Sequence, residues 1–136
     1  MKSIKNNKLV LVVIMFIFMF SCRAQSQLEI LNKYSNDIVG VWTSTDEPSH
    51  KLVFKTDNSY NIYINNNLEG HYFYKSDIDC EINSSNTYDI YLIVKENSLS
   101  TDYSCSIINN ITINSSGKMI LSITTERGQL ETYIKQ

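Results

Sequence analysis

The stretch Leu52-Val53-Phe54-Lys55-Thr56-Asp57-Asn58-Ser59-Tyr60-Asn61-Ile62-Tyr63-Ile64 carries the pattern that decides the fold. Leu52 and Phe54 alternate with Lys51, Val53 and Lys55. Tyr60, Ile62 and Ile64 alternate with Asn61 and Tyr63. A period of two sends successive side chains to opposite faces of an extended strand. Asp57-Asn58 between the two runs is turn chemistry, because both residues tolerate left-handed backbone and bond their own main chain. The stretch reads as a hairpin with one apolar face.

The same pattern continues in both directions. Asn65-Asn66-Asn67 is the next turn, and beyond it His71 and Phe73 alternate with Tyr72 and Tyr74. Cys80 and Ile82 form a candidate short strand, and Asn83 to Asn86 a loop. Tyr88, Ile90, Leu92 and Val94 alternate with Asp89, Tyr91 and Ile93. Tyr103, Cys105 and Ile107 open another strand, which either runs past a bulge to Ile111 and Ile113 or ends at an Asn109-Asn110 turn. Ser115-Ser116-Gly117 precedes Met119, Leu121 and Ile123, and Glu126-Arg127-Gly128 turns the chain into Leu130, Thr132 and Ile134. Toward the N-terminus, Ile38 to Thr43 is the first strand and holds Trp42, the single tryptophan. Leu28, Leu31 and Tyr34, three apart, share one face of a short helix. The single proline, Pro48, falls in the first loop, where no ladder donor is missed. About eight or nine evenly spaced strands with no helix between them predict an all-β fold, a small antiparallel up-and-down barrel with a short N-terminal helix. Closure leaves no edge strand exposed.

The first residues belong to something else. Lys2, Lys5 and Lys8 precede an unbroken apolar run from Leu9 to Phe20. That run falls well short of the ~20 residues that cross a bilayer, and it has the charge and length of a secretory signal. Met19-Phe20-Ser21-Cys22 resembles the lipobox of bacterial lipoproteins, in which a diacylglycerol is attached to the cysteine sulfur and cleavage leaves that cysteine first. Met19 and Phe20 depart from the usual residues, and a cut after Ala24 is the rival. The expected organisation is a signal peptide at 1–21, a lipidated Cys22 with tether and helix over 22–36, and a barrel over 37–136. With Cys22 lipidated, Cys80 and Cys105 remain as an even pair in an oxidising compartment. A disulfide between them closes a loop of about 25 residues, worth ~2–4 kcal/mol; two free buried cysteines are the other reading.

Gly40-Val41-Trp42 on the first strand, followed by a Leu-x-Phe strand and a turn-Ser-Tyr strand, resembles the opening of lipocalin-like barrels of the calycin group. The resemblance implies that Gly40 allows a close approach and that Trp42 closes the barrel floor. Thr101-Asp102-Tyr103 resembles the tripeptide of lipocalins between their sixth and seventh strands. Arg127 resembles their arginine that packs across the tryptophan. The chain after Cys22 is shorter than a typical lipocalin, and a strand follows Arg127 where a lipocalin has a helix. The resemblance implies a small apolar or amphipathic ligand, in a cavity expected to be lined by Leu52, Phe54, Ile62, Phe73, Ile90 and Leu92.

Charge narrows the partners. After Cys22 the chain has nine basic and fourteen acidic residues, a net of −5, with no basic patch. Nucleic acid is therefore not an expected partner, and the membrane is reached only through the anchor. His50 and His71 have no ligand at metal spacing. Asp77, Asp79 and Glu81 share a strand face, which reads as a solvated acidic edge. Asn83-Ser84-Ser85, Asn110-Ile111-Thr112 and Asn114-Ser115-Ser116 match the glycosylation sequon without further support. No nucleophile or acid–base pair stands out, so no enzyme, metal or cofactor is expected. Tyr63, Tyr72 and Tyr74 form a candidate outward patch. The expected function is an exported, lipid-anchored binding protein of the bacterial cell envelope, or soluble if cut after Ala24. The alternative is an envelope protein that works through protein contacts, as an inhibitor, immunity protein or accessory factor.

Overall fold

The computed structural model describes residues 26–80 and 89–136. The signal segment, Cys22 and its lipobox, Glu81, Ile82 and the Asn83 sequon lie outside the described residues. The chain divides into two compact units, Met1–Ile30 and Leu31–Gln136. Residues 26–37 are helical. In the second unit Leu31 and Tyr34 pack against the core, as their spacing predicts, whereas Leu28 in the first unit is exposed.

Eight strands follow: β1 (Gly40–Ser44), β2 (His50–Phe54), β3 (Ser59–Ile64), β4 (Asn67–Asp77), β5 (Tyr91–Lys95), β6 (Tyr103–Ile113), β7 (Met119–Thr124) and β8 (Leu130–Lys135). Each pairs antiparallel with the next, and β8 returns to β1. The result is an all-β, eight-stranded, antiparallel up-and-down barrel with a short N-terminal helix, consistent with a calycin or lipocalin-like fold. The asparagines explain part of the closure. Asn65 and Asn66 both have positive φ, 52° and 64°, which matches a two-residue hairpin turn to the strand twist. Asn58 has φ 62°, and Asp57 Oδ1 accepts the Ser59 N–H at 2.9 Å.

Two alternatives resolve. β4 ends at Asp77, so Cys80 is not in a strand. Tyr103 to Ile113 is one strand, with a bulge between Ile108 and Asn110. A third point is a correction. Tyr72 and Tyr74 point into the barrel, and His71 and Phe73 point outward, with their rings 5.6 Å apart. A register shift at Ile62/Tyr63 sets this phase, and one residue of slip exchanges the faces of a whole strand.

The interior is packed around rings. Phe54 stacks on Tyr60 at 4.6 Å and meets Tyr74 edge-on at 5.0 Å, and Tyr60 lies 6.0 Å from Tyr72. Trp42, Ile38, Leu121 and Tyr133 are buried with them. A second, smaller apolar cluster lies on the outer face of β5 and β6: Cys80, Tyr91, Ile93 and Cys105, with Tyr103 and Ile107 against it. Both faces of β5 are thus buried, unlike an ordinary barrel strand.

Candidate functional site

The two ends of the barrel differ. At one end the chain passes from Ile38 into β1, and β8 finishes. Trp42 is fully buried there, and its indole Nε1–H donates to Ile38 O at 2.6 Å. Lys135 Nζ lies over the Trp42 ring, 5.2 Å from the centroid, and donates to Asp37 O at 2.7 Å. Burial holds the Lys135 ammonium below its ordinary value, and Asp37 opposes the shift. Gly40 has φ 140°, and a Cβ there would sit 2.6 Å from Lys135 Cε. The close approach that glycine permits is thus by the lysine side chain.

The cation over Trp42 is Lys135 and not Arg127, which is a correction. Arg127 is exposed in the turn between β7 and β8, at the opposite end of the barrel. Thr101-Asp102-Tyr103 also lies at that opposite end, between β5 and β6. The reason is strand parity. Each strand reverses the chain, so counting Cys80–Ile82 as a strand moves every later loop to the other end.

The end away from Trp42 is where the interior turns polar. β6 has eleven residues and β7 only six, so Tyr103 to Ser106 run beyond their β7 partners. The freed Cys105 N–H donates instead to Glu126 Oε1 at 2.8 Å. Ser104 and Ser106 alternate with Cys105 and Ile107 of the outer cluster, and therefore face inward. A cleft of about 300 Å³ opens between Ser104 and Ser106 on one side and Thr125, Glu126, Arg127, Gln129 and Glu131 on the other. A neighbouring cleft of about 320 Å³ is lined by Tyr72, Val94, Glu96, Asp102, Tyr103 and Ser104. The two share Ser104.

Inside this mouth, Glu131 shares the face of Tyr133 and is paired with the interior residue Ile123. Tyr133 Oη donates to Glu131 Oε2 at 2.6 Å. The His50 ring meets Tyr133 edge-on at 5.8 Å. Burial pushes the Tyr133 phenol far above its ordinary value, with the Glu131 hydrogen bond and charge adding to it. Burial and the Glu131 charge act the same way on Tyr60. Gly70 lets the Tyr72 ring fold back over the strand, since a Cβ there would lie 2.7 Å from Tyr72 Oη. Sequence reasoning missed Glu131, Tyr133, Ser104 and Ser106. None of them left a signal: the alternation of Leu130, Thr132 and Ile134 points Glu131 and Tyr133 outward, whereas the β7–β8 register turns them inward and leaves Leu130 exposed.

The residues expected to line a cavity have other places. Leu52, Phe54, Ile90 and Leu92 belong to the packed core, and Ile62 packs against it. Phe73 is on the outer surface, a correction that follows from the β4 phase. None of the clefts described here is lined by these six. Of the candidate outward tyrosines, only Tyr63 faces out; Tyr72 and Tyr74 are interior. Cys80 and Cys105 are joined as a disulfide, with Cα atoms 6.5 Å apart. An outer cleft of about 480 Å³ lies beside it, lined by Lys75, Asp77, Asp79, Cys80, Ile93, Lys95 and Tyr103. Asp77 pairs with Lys75 at 2.7 Å, and this hydrogen bond holds its carboxyl below the usual range. His71 Nδ1 lies 2.6 Å from Asn61 Oδ1. Among the described residues, no group of His, Cys, Asp and Glu is arranged to hold a metal ion. No helix among them is long and apolar enough to cross a membrane.

The chain belongs to a protein family described as a family of unknown function (DUF6705), whose model matches residues 1–130. No curated protein and no solved structure matches it.

Proposed function

We propose that this chain is an exported, lipid-anchored, non-enzymatic binding protein of the bacterial envelope, and that its barrel takes a small amphipathic ligand at the end away from Trp42. The eight-stranded barrel is a shape compatible with small-molecule binding in general. The observation that carries the reading is the polarity gradient inside the barrel. Packed rings and aliphatic side chains, Tyr133 among them, fill it toward Trp42, while Glu131 and Ser106 line one cleft at the far end and Ser104 lines both of the adjoining clefts there. An amphipathic molecule fits that gradient, with its apolar part toward Tyr72 and Val94 and its polar part toward the rim. The leader and the Met19–Cys22 box support export and anchoring.

The packed interior also favours a second reading, in which the barrel is solid and acts through its surface on another envelope protein. Leu52, Phe54, Ile90 and Leu92 leave the apolar centre filled. One experiment separates the two. Native mass spectrometry of the protein purified from the membrane fraction should show a small-molecule adduct and a mature chain that begins at lipidated Cys22. A bound protein in its place supports the second reading. An unmodified chain that begins at Gln25 removes the anchor.

A further inference from the structure

We propose that the headgroup taken at the barrel mouth is a cation, the ammonium of an amine with a short apolar tail, and that Glu131 is its counter-charge. This rests on the ligand-binding reading above and gives it a ligand class. Glu131 is a carboxylate on an inward-facing strand position. Its neighbours on that face are Tyr133 and, across the strand pair, Ile123. Glu131 is half-buried at this polar end, and a charge partly withdrawn from water favours an opposite charge beside it. The ion pairs of the described residues are Lys33–Asp37 and Lys75–Asp77, and neither involves Glu131. Its hydrogen bond is the one from Tyr133 Oη, a neutral donor.

The surroundings select for the same sign. The groups facing the two clefts are Glu96, Asp102, Glu126 and Glu131 against one cation, Arg127. Glu126 is already engaged by the Cys105 N–H. Glu47, from the β1–β2 loop, also acts electrostatically on Tyr133. His50 stands edge-on to Tyr133. Tyr72, an interior ring, lines the second cleft, and a tyrosine ring attracts a cation through its face. The Tyr103 ring packs on the outer cluster and already carries Lys95 Nζ, 5.7 Å from its centroid. The carboxylates and the Tyr72 ring together favour an ammonium and repel a carboxylate or phosphate headgroup. Volumes near 300 Å³ suit a small molecule.

The test uses three probes with one tail, octylammonium, octanol and octanoate, titrated into the protein by calorimetry at neutral pH. Octylammonium is expected to bind about tenfold more tightly than octanol, the effect of one partly desolvated charge contact. Octanoate is expected to bind most weakly. Glu131→Gln keeps an acceptor for Tyr133 and should erase the preference for the amine, so that octylammonium binds no more tightly than octanol. Ser104→Lys, an exposed substitution at the shared rim, should weaken octylammonium and strengthen octanoate. If octanol and octanoate bind as well as the amine, the charge assignment is overturned and the ligand-binding reading stands. If no probe binds the folded protein, both are overturned.

Discussion

Lys135 Nζ lies 5.2 Å from the centroid of the Trp42 ring, and Lys135 is the register partner of Trp42 across the β1–β8 seam that closes the barrel. One contact therefore joins the first strand to the last. The ammonium also satisfies Asp37 O, a carbonyl at the end of the helix. Cations are favourable at that terminus.

Removing either partner should weaken the seam, by different amounts. Trp42→Ala deletes a fully buried ring and should cost about 3–5 kcal/mol. Lys135→Met keeps much of the stem packing and loses the cation, at about 0.5–2 kcal/mol. Arg127→Ala should change stability by less than ~0.5 kcal/mol, as for an exposed loop residue. Urea denaturation of the three variants measures this. A larger loss from Arg127 than from Lys135 contradicts the assignment.

Gly40→Ala should destabilise through backbone and side chain together. Its φ of 140° is strained for alanine, and the new methyl meets Lys135 Cε. A cost of about 1–3 kcal/mol is expected. In the double variant with Lys135→Ala, only the steric part should be relieved, which a double-mutant cycle reads directly. Full recovery would show that the backbone carries no strain.

The Cys80–Cys105 disulfide closes a span of 25 residues. The Cys80→Ser/Cys105→Ser protein should lose about 2–4 kcal/mol. It should also expose the cluster of Tyr91 and Ile93 that Cys80 helps cover. Denaturation midpoints and binding of a hydrophobic dye check the two effects. Loss of stability without new dye binding would mean that the cluster stays covered by its other contacts.

Alkaline solution should unfold the barrel from inside. Burial raises the phenols of Tyr60 and Tyr133 above their ordinary value of 10.0. Because the folded value lies above the unfolded one, the stabilisation is complete below pH 10.0 and is lost as pH rises beyond it. The unfolded chain then sheds protons that the folded chain keeps. Each tyrosine should remove about 1.4 kcal/mol per pH unit. Urea midpoints measured across that range should fall, and Tyr60→Phe should reduce the slope. A midpoint independent of pH would place both hydroxyls in contact with water.

The up-and-down barrel was legible in the residues because its information is local. Leu52/Phe54, Tyr60/Ile62 and Leu121/Ile123 alternate at a period of two, and Asp57-Asn58 and Asn65-Asn66 supply the turns that hairpins require. The floor role of Trp42 came only from the resemblance of Gly40-Val41-Trp42 to the opening of lipocalin-like barrels; what the structure shows is that the ring is fully buried. What the chain alone did not decide was phase and parity. The register shift at Ile62/Tyr63 turned Phe73 outward and Tyr72 inward. The absence of a strand at Cys80 placed Arg127 and Thr101–Tyr103 at the far end of the barrel and left Lys135 to meet Trp42. Each of these depends on one residue or one strand, too small a change to alter any local pattern. The mouth around Glu131 was hidden more deeply, because its clefts are assembled from β4, β5, β6, the β7–β8 turn and β8. Residues as distant in sequence as Tyr72 and Glu131 come to one end only in the folded barrel, so tertiary structure alone decided the candidate site.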